Sequence, residues 1–394
     1  MKLFVKCNYL FILLLLCFSA EVHAQHRIEV MASHTIRAEY NNLENYNNIK
    51  ECGFTLAREN YPSRDIAIEH LKTAAKTNVK LIIGCPEILK DMENTVRLFN
   101  SFDSFGGYYI CDEPGADRFD DLSKIVKRLK TLDERHYIWI NVFPVYANKQ
   151  QLKSESYEQY INDYIEIVKP PFLSFDCYGI KKNGIIPNYY QNLELISSQC
   201  KTKGIPFWAY VLTSQFGSNV YPTKGTLSFQ AYSNLAYGAQ AIEYFSYRRI
   251  LGYGLNMTIA PVDTNYKKMA IYNVVKKLNS EIKYYSPIFY RNEIQDVSHL
   301  SKIIPLGTKK LKRLPGGLLI ESYGGEGFVV SQFTNSGKKY VLFVNKDYQK
   351  SQSLTIVSTK KINRISCYAS ERQSIIGRKV LDVKAGSIVL LRVF

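Results

Sequence analysis

The sequence lacks the motifs by which several large classes of protein are usually identified. Neither GxGxxG nor GxxxxGK(S/T) occurs, so no glycine-rich loop is present to cradle the phosphates of a nucleotide. The sequence contains no CxxC pair and no cysteine–histidine spacing of the kind that binds zinc. We therefore predict no metal, and we predict no other cofactor either. Beyond the first 24 residues, no apolar stretch approaches the length of a membrane span. These absences argue against nucleotide-dependent, zinc-binding and membrane-spanning proteins.

Acidic residues are also in deficit. Asp and Glu number 35 against 51 Lys and Arg, which gives a formal net charge of +16. Such a balance fits an anionic partner, such as nucleic acid, an acidic membrane or an acidic polysaccharide, but it equally fits a lysine-rich solvated surface. The densest basic run, Lys309–Arg313, is too short to indicate nucleic-acid binding. We therefore expect no nucleic-acid partner.

The first 24 residues have the pattern of an export signal. Two lysines give a positive start, and Leu10–Phe18 is an apolar core too short to span a bilayer comfortably. Val22–Ala24 supplies a small-x-small cleavage site. Cys17 resembles a bacterial lipid-attachment cysteine, but a leucine precedes it where a small residue is needed. We expect an exported protein, in the periplasm, at the cell surface or secreted, rather than a lipoprotein.

Six of the eight cysteines follow this segment. Three of them lie inside apolar, strand-like runs, where small buried thiols are more expected than disulfides. The six are Cys52, Cys85, Cys111, Cys177, Cys200 and Cys367.

From residue 26 onward, apolar runs alternate with helical patterns. Eight runs, each followed by a helical segment within about 250 residues, are typical of an α/β fold of the (β/α)8 TIM-barrel type. A doubly wound sheet is the rival, but it would usually carry a glycine-rich loop after its first strand. The predicted strands are Ile28–Ala32, Phe54–Glu59, Val79–Cys85, Tyr108–Cys111, Tyr137–Val142, Phe172–Tyr178, Pro206–Leu212 and Ala241–Tyr247. The predicted helices are Asn42–Cys52, Ser63–Thr77, Met92–Phe102, Phe119–Leu132, Tyr157–Val168, Tyr190–Cys200, Leu227–Tyr237 and Asn265–Lys283.

Past Tyr284 the pattern changes to short alternating runs separated by turns. This predicts a small antiparallel β-sandwich. We therefore expect a signal peptide over residues 1–24, a barrel that carries the site over 25–284, and a β-sandwich domain over 285–394. The predicted strands of the β-sandwich domain are Leu318–Tyr323, Gly327–Phe333, Tyr340–Asn345, Ser353–Val357, Asn363–Tyr368, Lys379–Val383 and Ser387–Val393.

The stretch Phe105–Gly115 is the first candidate for chemistry. An apolar run there ends in two carboxylates followed by Pro-Gly, as a buried parallel strand with polar groups at its carboxyl end would. That end of a barrel strand is where active sites lie. By strict alternation, Tyr109, Cys111 and Glu113 share one side and Asp112 faces the other. Glu113 is thus a candidate catalytic acid, although a strand-end carboxylate can equally cap a helix or pair with an arginine.

Strands six and eight offer further carboxylates. In strand six, the polar set with Asp176 and Tyr178 is predicted to face the barrel mouth, because the alternate residues are apolar. In strand eight, Glu243 and Tyr247 share a side. Structural explanations stay open: Asp176 could be a buried carboxylate bonded to Tyr178 or a strand-end amide, and Glu243 could pair with one of the two arginines at positions 248 and 249.

Carboxylates, aromatic rings and amides together at a barrel mouth suit sugar chemistry. Cleavage of a glycosidic bond needs one carboxyl group to protonate the leaving oxygen and another to attack or to activate water. We predict Glu113 as the acid, with Asp176 or, second, Glu243 as its partner. Aromatic rings can stack on sugars, although each alone is more often part of a core. The predicted substrate-binding residues are Asp112, Tyr109, Asn141, Tyr178, Trp208, Gln215 and Tyr247.

The layout resembles exported (β/α)8 glycoside hydrolases with a C-terminal β-sandwich, of a type common in Bacteroidetes-like bacteria. The resemblance rests on the segments Tyr109–Pro114, Ser174–Tyr178, Asn234–Ser246 and Val341–Asp347. The sequence is distantly similar to the retaining clan that includes family 42 β-galactosidases. In that clan the acid/base glutamate ends strand four, often after an asparagine. Glu113 stands in that position, with Asp112 in the place of the asparagine. The resemblance implies a carbohydrate substrate, and the positive charge makes an anionic glycan a plausible one.

This sequence departs from the pattern of that clan at the position of the nucleophile. The clan's nucleophile is a glutamate at the end of strand seven, whereas residues 206–216 here contain no carboxylate. Other barrel glycosidases, similar to α-galactosidases, pair carboxylates on strands four and six, which favours Asp176. The departure also leaves a second class open, a barrel that binds glycan without cleaving it.

Overall fold

The computed structural model describes residues 27–252, 254–368 and 373–394. The predicted signal peptide, residues 1–24, lies outside the described residues. No helix within the described ranges is both long and apolar enough to cross a membrane.

Eight parallel strands close into a barrel, which confirms the predicted fold class. Going round the barrel, the strands follow in the order β1-β8-β7-β6-β5-β4-β3-β2, so that β1 pairs with both β2 and β8. The strands are β1 Glu29–Ser33, β2 Leu56–Asn60, β3 Lys80–Gly84, β4 Phe105–Asp112, β5 Tyr137–Val142, β6 Leu173–Phe175, β7 Phe207–Leu212 and β8 Ala241–Phe245. A two-strand hairpin, Ile180–Lys181 with Gly184–Ile185, follows β6.

A helix follows each barrel strand. These are α1 Leu43–Glu51, α2 Arg64–Ala74, α3 Met92–Phe99, α4 Phe119–Leu132, α5 Tyr157–Asp163, α6 Tyr189–Lys203, α7 Lys224–Ala236 and α8 Ala270–Phe289, and a π-helical turn, Tyr164–Val168, extends α5. Local sequence sets their ends. The Ser63 side chain accepts the Ile66 N–H and starts α2, and Gly204, at φ 67°, ends α6 in the left-handed conformation that glycine favours.

Large side chains fill the barrel itself. Met31, Leu56, Ile82 and Trp139 are among the buried residues of an inner cluster, with Phe172 and Trp208 stacked at a centroid distance of 4.1 Å. A larger cluster fills the space between the strands and the helices. The barrel is thus a packed core with its open end at the carboxyl ends of the strands, which we call the mouth.

The C-terminal segment forms one seven-stranded antiparallel sheet rather than two facing sheets. Its strands are β9 Glu293–Leu300, β10 Leu318–Tyr323, β11 Phe328–Asn335, β12 Lys338–Asn345, β13 Gln352–Ile365, β14 Gln373–Val383 and β15 Ile388–Val393. Inward side chains from β10 to β15 meet in a single core, so the sheet curls around it. The predicted strand Ser353–Val357 and the first residues of the predicted strand Asn363–Tyr368 belong to one long strand, β13, which ends at Ile365. Strand β9 was not predicted.

This β-domain packs directly on the barrel. Residues of β11, β12 and β15 belong to the same buried cluster as the barrel helices. The contact is close at Gly225 in α7, where a Cβ atom would lie 2.1 Å from the carbonyl oxygen of Tyr348. A glycine is therefore required for α7 to approach the loop between β12 and β13 so closely.

Candidate active site

A bulge in β4 determines which side chains face the mouth. The pairing of β4 with β5 shifts between Tyr109 and Cys111, so Ile110 and Cys111 both pack with the outer cluster while Tyr109 packs inside the barrel. The prediction that Cys111 shares the inner side with Tyr109 is therefore wrong. Asp112, predicted to face away, is exposed at the strand end and acts electrostatically on Arg58 and Asp176 across the barrel.

Glu113 follows directly on this strand end. Its backbone is left-handed, with φ 47°, and its N–H donates to the carbonyl oxygen of Asn141 over 2.8 Å. Tyr160 donates its hydroxyl to the next carbonyl, that of Pro114, over 2.8 Å. Burial, together with the negative charges of Asp176 and Asp112, raises the pKa of the Glu113 carboxyl to about 8. At neutral pH this carboxyl group retains a proton that it can donate.

Asp176 directly follows β6 and lies beside Asn141 of the neighbouring strand β5. The Asn141 side-chain N–H donates to Asp176 Oδ1 over 2.7 Å. Asp176 is 8% exposed, and its burial raises its pKa to about 7, against the opposing effect of the Asn141 hydrogen bond. Asn141 thus contacts both the carboxylate of Asp176 and the backbone of Glu113, and the charge of Asp176 contributes to the raised pKa of Glu113.

Glu243 lies deeper, in the middle of β8, opposite Met31 of β1. It is fully buried, with Trp139 Nε1 donating to its Oε1 over 2.6 Å and the Ser174 hydroxyl 2.6 Å from its Oε2. Ser174 also lies 3.0 Å from Asn141 Oδ1. Burial raises the pKa of Glu243 to about 8 despite these contacts. Glu243 is linked to Asp176 through side chains rather than placed beside it.

The arginines at positions 248 and 249 do not pair with Glu243. Arg248 instead lies 4.0 Å from Glu59, whose pKa is raised because the carboxylate is buried. The arginine whose charge acts on Glu243 is Arg58, in the middle of β2, and its guanidinium lies 4.7 Å from the ring centroids of both Tyr109 and Trp139.

Tyr178 forms an aromatic surface at the mouth. Its ring stacks on Phe245 at 5.6 Å, and Phe216 contacts both rings edge-on. Tyr178 is half-buried as a residue and packs against the cluster inside the barrel. An aromatic ring is the kind of apolar face on which a sugar ring can stack.

Two aromatic residues that were predicted to bind substrate are buried away from the mouth. Trp208 is only 3% exposed and lies near the start of β7, in the layer farthest from the mouth, between Phe172 and Tyr137. Tyr247 is 1% exposed and packs edge-on against Phe54 in the outer cluster. Neither ring is available to a substrate, because each fills a core.

Strand β7 ends without a carboxylate, as the sequence indicates. Gln215 lies on the rim of the mouth, where its side chain accepts the Thr258 hydroxyl over 2.6 Å and donates to the Asn219 carbonyl over 3.4 Å. The Thr213 hydroxyl donates to the carbonyl oxygen of Ser246, just after β8, and the Ser214 hydroxyl donates to that of Phe245, the last residue of β8. Gln215 thus links the loop that follows β7 to the loop that follows β8.

Sequence reasoning missed the residues that support the carboxylates. Ser174, Trp139 and Arg58 were not predicted as part of the site, although the alternation of β6 places Ser174 on the same side as Asp176. The six cysteines within the described residues are free thiols. Among the described residues, no group of three or more His, Cys, Asp or Glu side chains is arranged to hold a metal ion.

The sequence matches no protein-family profile and no curated protein sequence. Its fold, however, is shared with solved structures of glycoside hydrolases. A β-galactosidase from Bacillus circulans sp. alkalophilus aligns with a TM-score of 0.64 and 8% identity, over 93% of this chain and 99% of that chain. A family 42 β-galactosidase from G. stearothermophilus aligns with a TM-score of 0.58 and 8% identity, over 94% and 98% of the two chains.

An α-amylase from H. orenii gives a similar result, with a TM-score of 0.57, 7% identity and coverage of 94% of this chain and 100% of that chain. At such identities the likeness establishes the fold alone. The predicted resemblance to barrel glycoside hydrolases with a C-terminal β-domain is confirmed at that level.

Proposed function

We propose that this protein is an exported glycoside hydrolase that cleaves O-glycosidic bonds of an oligosaccharide or polysaccharide by carboxylate acid/base catalysis. One observation carries the proposal: Asn141 joins the backbone of Glu113 and the carboxylate of Asp176 at the barrel mouth. Two carboxyl groups held together, one able to give a proton and one able to attack or to activate water, are what glycosidic cleavage requires.

Glu113 acts as the general acid. A carboxyl group with its ordinary pKa would be ionised at neutral pH, whereas a pKa near 8 keeps the proton available for the leaving oxygen. The like charges of Asp176 and Asp112 contribute to this shift, so the partner carboxylates help to keep the acid protonated.

Asp176 acts as the second carboxylate. It accepts the Asn141 N–H, a hydrogen bond that favours its ionised form, and its pKa is the lower of the two mouth carboxyl groups. Glu243 is the weaker candidate, because it is fully buried and both of its oxygens are engaged by Trp139 and Ser174.

The substrate is bound by the polar and aromatic groups that surround this pair. Tyr178 offers a stacking face, while Asp112 and Gln215 offer polar contacts at the rim. The net charge of +16 favours an anionic glycan among possible substrates. Export follows from the pattern of the first 24 residues, and the site of action would be the periplasm, the cell surface or the medium.

The experiment that tests this function is release of reducing sugar from a broad glycan panel, neutral and acidic, by the purified mature protein and by Glu113→Gln. We expect release by the wild type and a loss of about a hundredfold or more in the variant, because the leaving-group proton is removed. Glu134→Gln is the matched control, since Glu134 is exposed in the loop before β5, at the opposite end of the barrel. Equal release by Glu113→Gln and wild type would rule out Glu113 as the acid.

A second candidate function is glycan binding without cleavage. It is favoured by the absence of a carboxylate at the end of β7, where Thr213, Ser214 and Gln215 make hydrogen bonds within the loops. A binding protein would tolerate Glu113→Gln with only a modest change in affinity. Glycan retention in a pull-down by both proteins, with no sugar released by either, would support this second function.

A further inference from the structure

A chain of hydrogen bonds connects two buried carboxyl groups of the barrel, those of Glu243 and Asp176. It runs from Glu243 Oε2 to the Ser174 hydroxyl over 2.6 Å, from Ser174 to Asn141 Oδ1 over 3.0 Å, and from Asn141 Nδ2 to Asp176 Oδ1 over 2.7 Å. At its inner end, Trp139 donates to the other oxygen of Glu243. The chain crosses from β8 through β6 and β5 and returns to the residue after β6.

Counting hydrogens shows what this chain needs. The three contacts from Glu243 to Asp176 require three hydrogens, one for each contact. The Ser174 hydroxyl supplies one, and the amide of Asn141, which presents its N–H to one side only, supplies a second. The third hydrogen has to come from a carboxyl group at one end. With both carboxyl groups ionised, one contact would bring two oxygens together without a hydrogen.

The chain therefore has two possible directions. In one, Glu243 is protonated and donates to Ser174, Ser174 donates to Asn141, and Asn141 donates to an ionised Asp176. In the other, Asp176 is protonated, the Asn141 amide is reversed, and Ser174 donates to an ionised Glu243. Both directions hold one carboxyl proton.

We propose that Glu243 and Asp176 share a single proton through Ser174 and Asn141, and that in the resting protein Glu243 holds it, which leaves Asp176 ionised for chemistry. Glu243 is thus a positioning residue: a neutral acid that orders the donors aimed at Asp176. The assignment of Asp176 to catalysis rests on the proposed function, whereas the location of the proton does not.

Burial decides the direction. Glu243 is fully buried, while Asp176 is 8% exposed beside the mouth, so the charged form costs less at Asp176. Arg58 is the cation that acts on Glu243, yet burial outweighs it and the pKa of Glu243 stays raised to about 8, against about 7 for Asp176. Because the groups are coupled, these pKa values belong to the pair.

Several other titratable groups face the two ends of the chain. Around Glu243 they are Arg58 and Tyr210; around Asp176 they are Asp112, Glu113, Tyr146, Tyr157, Cys177 and Tyr178. Among these, Asp112 and Glu113 are the carboxyl groups that could also change the titration of Asp176. A test of the proposal must therefore separate the signal of Glu243 from theirs.

Infrared difference spectroscopy on the full mature protein at neutral pH makes that separation. We expect Glu243→Gln to remove the C=O stretching band of a protonated carboxyl group, since the glutamine amide replaces a neutral acid. Glu281→Gln is the matched control: Glu281 is also buried, but it lies 2.7 Å from Lys224, so its loss should remove a carboxylate band instead. Removal of a carboxylate band by Glu243→Gln would overturn the proposal.

Asp176→Asn provides an independent measurement at the accessible end of the chain. With the proton on Glu243, this substitution removes a carboxylate band and leaves the protonated band of Glu243 in place. Loss of a protonated band on Asp176→Asn would assign the proton to Asp176 and overturn the proposal even if Glu243→Gln failed to fold.

Activity gives a further readout where a cleaved glycan is found. The glutamine in Glu243→Gln can donate to Ser174 as the protonated acid does, so we expect kcat within about tenfold of the wild type, whereas Glu243→Met, which cannot donate, loses about a hundredfold. A hundredfold loss in Glu243→Gln as well would make Glu243 an ionised participant and overturn the proposal. Absence of cleavage by the wild type would count against the proposed function only, because the infrared bands do not depend on turnover.

Discussion

Asn141 donates its side-chain N–H to Asp176 Oδ1 over 2.7 Å, while its backbone carbonyl accepts the N–H of Glu113 over 2.8 Å. One residue at the end of β5 thus fixes the backbone of the predicted acid and the carboxylate of its partner. Asn141 is itself held from below, because the Ser174 hydroxyl lies 3.0 Å from its Oδ1. The geometry of the site therefore depends on an amide at this position.

The first prediction is that Asn141→Asp lowers kcat by about tenfold to a thousandfold, because a like charge replaces the N–H donor beside Asp176. The new carboxylate also raises the pKa of Asp176, so the acidic limb of the pH–rate profile should move to higher pH. Initial rates on a cleaved glycan, measured across pH, check both effects.

The matched control for this variant is Asn47→Asp. Asn47 is exposed on the outer side of α1, so the same chemical change there should leave both kcat and the acidic limb unchanged. An acidic limb that stays in place in Asn141→Asp would show that Asp176 does not control it.

The second prediction concerns the pH optimum. Cleavage needs Glu113 protonated and Asp176 ionised, and their pKa values are raised to about 8 and about 7. Activity should therefore fall above about pH 8 and below about pH 7, in a narrow bell-shaped profile. Asp112→Asn removes a negative charge that raises both pKa values, so both limbs should move to lower pH.

Asp103→Asn serves as the control for the second prediction. Asp103 is exposed in the loop that precedes β4, at the opposite end of the same strand, so its charge lies far from the mouth. A shift of equal size in both variants would attribute the effect to net charge rather than to the carboxylates of the site.

The inward direction of side chains was predictable in β6 but not in β4. In β6, Ser174 and Asp176 alternate with the apolar Leu173, Phe175 and Cys177, so the sequence itself separates the two sides. In β4, the run from Tyr109 to Cys111 is apolar or aromatic throughout, and nothing in it indicates the bulge that turns Ile110 and Cys111 outward together. The placement of Asp112 could therefore only be learned from the fold.

The third prediction concerns Tyr178, whose ring stacks on Phe245 at the mouth. Tyr178→Ala removes the proposed stacking face, and we expect KM to rise about tenfold with a smaller change in kcat. Tyr284→Ala, at an exposed position on α8, is the control and should leave KM unchanged. An unchanged KM in Tyr178→Ala would show that the ring does not contact the substrate.

The eight strands and their helices were predictable because apolar runs and turn residues repeat along residues 28–247. The hydrogen-bond chain was not, because it joins Trp139, Asn141, Ser174 and Glu243 across three strands whose register no single stretch of sequence specifies. Strand β9, Glu293–Leu300, was missed since its charged and polar residues hide the alternation that usually identifies a strand. The depth of a residue within the barrel depends in the same way on where its strand starts.

The fourth prediction follows from that depth. Trp208 lies near the start of β7 and stacks on Phe172, so Trp208→Ala should lower the free energy of unfolding by about 3–5 kcal/mol through loss of packing. Urea unfolding measures this loss, and KM measured at a temperature where the variant remains folded should be unchanged. A raised KM without a loss of stability would return Trp208 to the substrate site.

The last prediction links the buried carboxyl group to stability. The pKa of Glu243 is raised to about 8 in the folded protein, whereas in the unfolded chain the carboxyl group has its ordinary, acidic pKa. Between these two values the folded state holds a proton that the unfolded state has released, so stability falls as pH rises. Glu243→Gln lacks this titration. The free energy of unfolding of the wild type should therefore decline, relative to that of Glu243→Gln, from about pH 5 to about pH 8 and level off above.

Urea unfolding of both proteins at several pH values in that window tests this sign, with Glu134→Gln as an exposed control whose difference from the wild type should be independent of pH. A constant difference between Glu243→Gln and the wild type would mean that Glu243 titrates in the folded protein as it does in the unfolded chain. In that case burial would not hold its proton, and Glu243 would be ionised at neutral pH. The chain from Glu243 to Asp176 would then have to take its proton from Asp176.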